Sequence, residues 1–266
     1  MNLVNQEILN QVINQDYASI DKTIEDFLKN QVSKNNSSGL IFGLSGGVDS
    51  AVTSYLCHRA LPNQTLALLM PDSKISPKTE TEYAIKMVEE LKLDYKLIDV
   101  NPIVNQYSKY LEPSEKALGN LMARVRANLL YYYANLKKYL VAGSSDKSEF
   151  LIGYFTKFGD GSADILPIVS LYKTQVRKMG EFLGVSQSIL SKKSSPNLWL
   201  GHFAEEELGM SYDEIDSILY CIFDKKLSLE ETAKLTQIEK STVNKVNLLY
   251  QTSQHKRITA PRPFEE

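Results

Sequence analysis

The chain has 266 residues, 43% of them hydrophobic and 23% charged, with a formal net charge of -2. That balance excludes an intrinsically disordered chain, offers no overall attraction to nucleic acid or an anionic membrane, and fits one domain or two small ones. Its two cysteines, Cys57 and Cys221, form neither a disulfide framework nor a metal-binding spacing. The N-terminus lacks a basic and apolar leader, and no apolar run approaches the roughly 20 residues that span a bilayer; a soluble, cytoplasmic protein is expected.

Ile8, Val12, Ile13, Ile20, Ile24, Phe27 and Leu28 recur at helical spacing, predicting a long amphipathic helix or a broken pair from about residue 5 to 31. A polar stretch through Gly39 ends it. Leu40 to Leu44 then suits a buried strand, Ser45 to Ser50 a glycine-rich turn, and Ala51 to Arg59 a helix. Leu66 to Met70 reads as a second strand, residues 77–91 as a helix, Tyr95 to Val100 as a third strand and residues 114–137 as a long helix. Leu140 to Ala142 supplies a fourth strand. Strands alternating with helices imply βαβ units: a doubly wound, mostly parallel α/β sheet with flanking helices. From Tyr172 onward the pattern is helical. One unit over 1–266 is expected, with a helical segment to about residue 38, a nucleotide-binding core over about 39–170 and a helical part with a basic tail beyond.

Ligands in such sheets collect at the C-terminal strand edge, which places Ser45, Asp72 and Ser144 on one rim. At Ser45-Gly46-Gly47-Val48-Asp49-Ser50, backbone N–H groups, the start of the following helix and two hydroxyls would hold an oxyanion. A Walker A loop would carry Lys where this chain has Asp49. A carboxylate beside phosphate is repulsive unless a divalent cation lies between them. Nucleotide bound with Mg²⁺ is therefore expected, Asp49 being a metal ligand. The loop from Gly153 to Asp164 mixes three glycines with Tyr154, Phe155 and Phe158, as a loop over a site would.

Ser45 to Ser50, Ala123-Arg124-Val125-Arg126, Gly143-Ser144-Ser145-Asp146-Lys147-Ser148-Glu149, Gly153 to Asp164 and His255-Lys256-Arg257 occur in an order and spacing that resembles the NAD synthetases, within the N-type ATP pyrophosphatases. The resemblance implies the adenine nucleotide alpha hydrolase-like fold and amidation of deamido-NAD. ATP adenylates the nicotinate carboxylate, pyrophosphate leaves, and ammonia displaces AMP. It also implies that Gly43, Leu44, Ser45, Gly46, Gly47, Val48, Asp49 and Ser50 hold the ATP phosphates, that Ser144, Lys173 and Ser195 contact ATP, and that Asp49 and Glu149 bind Mg²⁺. Arg124, Lys157, Asp164, His255 and Lys256 match positions that bind the dinucleotide. Lys173 and Mg²⁺ would stabilise the anionic phosphorus centre, and Asp164 is a candidate base for ammonium.

Two departures stand out. Ser144 replaces a commoner Thr, and His202 and Ala204 stand where the family usually has Gln and Asp; no catalytic function is assigned to His202. The segment before residue 39 is too short for an amidase domain, so free ammonia is the expected donor. Consecutive Tyr131, Tyr132 and Tyr133 put more apolar surface on their helix than one face can bury, and the resembled family pairs such helices in a homodimer. Ser228 to Val246 has a helix-turn-helix rhythm but offers only Lys240 and Lys245 as recognition cations, so it reads as a packing pair without a nucleic-acid partner. Another ATP pyrophosphatase, such as a GMP synthetase subunit, is the enzymatic alternative.

Overall fold

The computed structural model describes residues 4–263. Its frame is four parallel strands, β1 (Gly39–Gly43), β2 (Thr65–Leu69), β3 (Asp94–Leu97) and β4 (Tyr139–Val141), in the spatial order β3-β2-β1-β4. Successive side chains of a strand point to opposite faces, and here both faces are apolar. Leu40, Phe42, Ala67 and Leu69 enter one core, while Ile41, Leu66, Leu68 and Val141 enter another.

The first core is covered by α2 (Tyr17–Lys34), α3 (Val48–Ala60), α4 (Lys78–Glu90) and α8 (Lys173–Leu183); the second by α5 (Asn101–Ser108) and α6 (Glu115–Lys137). This is the doubly wound arrangement expected. The N-terminal periodicity resolves into a broken pair, α1 (Gln6–Ile13) and α2. Asp16 starts α2 afresh by accepting the Ser19 N–H at 3.1 Å.

The third strand is shorter than the expected 95–100. β3 is an exposed edge ending at Leu97; Ile98 and Val100 still donate to Leu69 and Pro71 carbonyls at 2.8 and 2.9 Å. Asp99 then accepts the Asn101 N–H at 3.0 Å, which turns the chain into α5 with a proline in its first turn. Periodicity did not reveal this short helix.

Beyond the sheet come α7 (Lys147–Ile152), α8, α9 (Gln187–Leu190), α10 (Ala204–Leu208) and α11 (Tyr212–Leu219), which runs into a π-helical turn at Tyr220–Asp224. α12 (Leu229–Thr236), α13 (Lys240–Thr252) and α14 (Gln254–Arg257) follow. A third core of Val12, Tyr212, Ile215, Leu219, Val243 and Val246 joins this helical half to α1. In the helix-turn-helix-like segment, Thr232, Thr236, Val243 and Val246 are buried, and Gln237 makes the turn at φ 61°. Among the described residues no helix is long and apolar enough to cross a membrane.

Candidate active site

The glycine turn after β1 is built as an anion cradle. Gly46 has φ +82°, and a Cβ there would lie 2.4 Å from the Glu80 carbonyl, so the turn is closed to other residues on two counts. Ser45 Oγ accepts the Gly47 N–H at 3.2 Å and meets Ser50 Oγ at 3.1 Å, while Ser50 Oγ donates to the Gly47 carbonyl at 3.0 Å. No side chain caps α3, so the amides of its first turn remain available to an anion.

Beside the cradle lies a four-residue charge cluster. Lys173 Nζ is 2.8 Å from Asp49 Oδ2, 2.7 Å from Asp146 Oδ2 and 2.8 Å from Glu149 Oε1, and its side chain is fully buried. Three elements converge here: Asp49 from the first turn of α3, Asp146 and Glu149 from the start of α7, and Lys173 from the start of α8. Asp146 also caps α7 by accepting the Glu149 N–H at 2.8 Å. Ser148 Oγ accepts the Lys173 N–H at 2.9 Å and donates to Asp216, whose other oxygen accepts the Thr174 N–H at 2.8 Å. Tyr212 donates to Glu149 Oε1 at 3.0 Å. The register of α7 against α8 is thereby held by hydrogen bonds between buried groups.

Burial pushes Glu149 up to about 8, opposed by Lys173 and reinforced by Asp146 and Asp49. It pushes Asp146 up to about 6, with Lys173 opposing and Asp49 adding. For Lys173 burial acts against the charge, but the three carboxylates outweigh it and hold the ammonium well above its ordinary range. The cluster also suits a hard cation. Oxygens of Asp49, Asp146 and Glu149 lie within 4.8 Å of one another, and Asp49 Oδ1 is buried without a hydrogen-bond partner. When all three carboxylates are ionised, one ammonium leaves two negative charges uncompensated.

A cavity of about 260 Å³ opens at the C-terminal edge of the sheet beside both features. Of the residues expected from sequence, Gly43, Leu44, Ser45, Asp49, Ser50, Ser144, Glu149 and Ser195 line it. Gly46, Gly47 and Val48 complete the turn without reaching the lining, and Lys173 sits behind Asp49 and Glu149. Asp72 belongs to its own turn, accepting the Lys74 N–H at 2.9 Å and an Asn101 side-chain N–H at 3.0 Å.

The residues expected to grip a dinucleotide form a second group outside that lining. Arg124 Nε donates to the Lys157 carbonyl at 3.3 Å, and Lys157 donates to the His255 carbonyl. Lys256 reaches the Gly153 and Phe155 carbonyls at 2.7 and 2.8 Å. Arg257 donates to the Leu151 carbonyl at 2.7 Å and to Tyr250. Asp164 stands apart: one oxygen accepts the Val141 N–H at 2.8 Å and the other the Tyr131 hydroxyl at 3.3 Å.

Several site residues had no role assigned from sequence. Asp146 is the third carboxylate of the cluster; its spacing to Glu149, an N-cap acid followed three residues later by Glu, was the available signal. Arg126 lines the cavity and anchors on the Met70 carbonyl through Nε at 2.9 Å. Burial pulls its guanidinium down while Asp72, Asp160 and Glu80 oppose. His202 is buried and stacked on Trp199 with ring centroids 3.5 Å apart. Its Nε2 lies 2.7 Å from Glu207 Oε2, which also accepts the Tyr154 hydroxyl at 2.7 Å. The altered loop is thus tied to the cavity wall, because Tyr154 lines the cavity and Ser195 donates to the His202 carbonyl.

Residues 20–260 match the family model described as NAD synthase. The chain is 50% identical over 258 residues to the NH(3)-dependent NAD(+) synthetase of Hyperthermus butylicus, covering 96% of this chain and 94% of that one. Among solved structures it is similar to an NMN synthetase from Francisella tularensis, with a TM-score of 0.83, 32% identity and coverage of 94% of this chain and 99% of that one. It is also similar to the NH3-dependent NAD synthetase from Campylobacter jejuni, solved with a nitrate ion, at a TM-score of 0.80 and 32% identity over 94% of this chain and all of that one.

Proposed function

The chain belongs to the NAD synthase family, and on that premise we propose that it is a ligase that amidates deamido-NAD to NAD, using ATP and free ammonia. The observation that carries this reading is the pairing of a lysine-free phosphate cradle with the Asp49–Asp146–Glu149–Lys173 cluster at the edge of one cavity.

The turn from Ser45 to Ser50 receives the ATP phosphates on backbone amides, with no side-chain cation of its own. Lys173, held charged behind Asp49 and Glu149, offsets their negative charge beside the anionic centre that forms when a carboxylate attacks phosphorus. Ser144 and Ser195 contribute hydroxyls along the wall towards the ATP. Asp49, Asp146 and Glu149 would hold Mg²⁺, which when bound offsets phosphate charge. Arg124, Lys157, His255 and Lys256, already linked to one another or to the 153–157 backbone, grip the dinucleotide. Asp164 stands apart from that grip, each of its oxygens accepting one hydrogen bond and keeping a lone pair, and is the candidate base for ammonium.

The active unit we propose is a homodimer, with the helical N-terminal segment, nucleotide-binding core and helical remainder acting as one unit within each copy. The support for pairing is an uncovered apolar face: Tyr132 and Leu136 on α6 are 63% and 67% exposed. Tyr131 and Tyr133 instead pack into the core of their own chain. Two buried, unpaired cysteines accord with a cytoplasmic setting.

The direct test supplies Mg-ATP and ammonium with either deamido-NAD, the corresponding nicotinate mononucleotide or XMP, and follows AMP. Release that depends on deamido-NAD and yields NAD is the expected result. Release with the mononucleotide alone would reassign the substrate, and release with XMP alone would favour the GMP synthetase alternative.

A further inference from the structure

The cradle lacks a lysine of its own, and Lys173 is enclosed by three carboxylates, so charge compensation for the terminal phosphates must also come from elsewhere. Lys192 stands at the right place. Its Nζ donates to the carbonyl of Gly46, inside the cradle turn, at 3.2 Å, and lies 2.7 Å from Glu80 Oε1. Glu80 lines the cavity from the first turn of α4. Its other oxygen accepts the Asn197 side-chain N–H. The carbonyl of Glu80 fills the space beside Gly46 where a Cβ would stand. Lys192 and Glu80 are thus an ion pair resting directly on the phosphate cradle, with side chains 23% and 11% exposed.

We propose that Lys192 is a phosphate-binding residue, held by Glu80 until ATP arrives and then transferred to the terminal phosphates and the pyrophosphate they become. The inference rests on the reading of the cradle as an ATP site. A polyphosphate brings several negative charges to a place where Glu80 brings one, so the ammonium gains by exchanging partners. Glu80 keeps its hydrogen bond from Asn197 when the lysine leaves, so the exchange does not strand it. No bond is made or broken in this step.

Binding isotherms with magnesium pyrophosphate, Mg-ATP and AMP, on wild type and on Lys192→Gln, Lys192→Arg and Glu80→Gln, test the assignment. Lys192→Gln is expected to weaken pyrophosphate and ATP by roughly 10- to 100-fold, the weight of one charge-assisted hydrogen bond, while AMP binding stays within about twofold. Lys192→Arg should restore most of the loss. Glu80→Gln should tighten pyrophosphate and ATP, because it removes the competitor. A purely structural ion pair predicts the same sign for both partners, so weakened binding in Glu80→Gln as well as Lys192→Gln would overturn the proposal. Unchanged pyrophosphate binding in Lys192→Gln would also overturn it. Wild-type protein that binds neither pyrophosphate nor ATP would instead remove the ATP-site reading beneath it.

Discussion

Lys173 and Asp49 are 124 positions apart in the chain, yet Nζ of one donates to Oδ2 of the other at 2.8 Å. The contact bolts α8 to the first turn of α3, so the proposed active site and fold stability share the same atoms. Lys173→Met removes the cation held among three carboxylates, two of which burial already pushes upward. The expected loss is about 3–5 kcal/mol at neutral pH. The folded-state values of those carboxyls then lie further above their unfolded values, so the variant loses stability as pH rises and recovers part of it near pH 5. Thermal melts at pH 5 and 8, with and without Mg²⁺, check this. A deficit that does not change with pH would contradict the electrostatic account.

Asp49→Asn takes one negative charge from the same cluster while preserving shape. Its melting temperature should stay within a few degrees of wild type, a change of about 1 kcal/mol, and ATP-to-AMP turnover should disappear. Normal turnover would remove Asp49 from the metal-binding role.

Asp216 supports the cluster from behind, and burial pushes its carboxyl up to about 6, against the donors on Ser148 and Thr174. The native state therefore holds a proton that the unfolded chain releases near pH 4. The group's contribution to stability falls as pH rises from about 4 to about 6 and then levels off. Asp216→Asn cannot titrate, so the difference in melting temperature should move in the variant's favour between pH 4 and pH 7. A difference constant across that range would show that this carboxyl is not raised.

Tyr132 and Leu136 are more than half exposed on α6. Replacing both by Glu should cost an isolated subunit little, with surface changes usually within about 0.5 kcal/mol each. The double variant should sediment as a monomer and lose activity. A fully active monomer would end the homodimer proposal.

The sheet was readable because β1, β2 and β4 are largely apolar on both faces and the chain is punctuated by Gly39, Pro71 and Gly143, and the cradle because its glycines and serines lie within six residues. Lys173 and Glu149 came from resemblance; neither periodicity nor spacing distinguishes a buried lysine among carboxylates from a surface one. Asp146 carries no separate signal in the sequence, because an acid at the start of a helix is sufficiently explained as its cap. Lys192, Glu80 and Arg126 matter through contacts 56 to 146 positions away, and local patterns carry no record of such distances. The edge strand was overextended because Ile98 and Val100 still bond to the neighbouring segment after the strand has ended.

Lys256 fastens carbonyls at Gly153 and Phe155, across 103 and 101 positions, and Arg257 fastens Leu151 across 106. On a ribosome the cradle, the sheet and the 153–164 loop are all synthesised well before α14. Until α14 emerges, the carbonyls that end α7 and open that loop lack their cationic clasp. A polypeptide stopped after Thr252 would carry the glycine turn and the sheet without the clasp on the carbonyls of residues 151–155. The short basic helix therefore closes its clasp only after the whole of the loop that it fastens has been made.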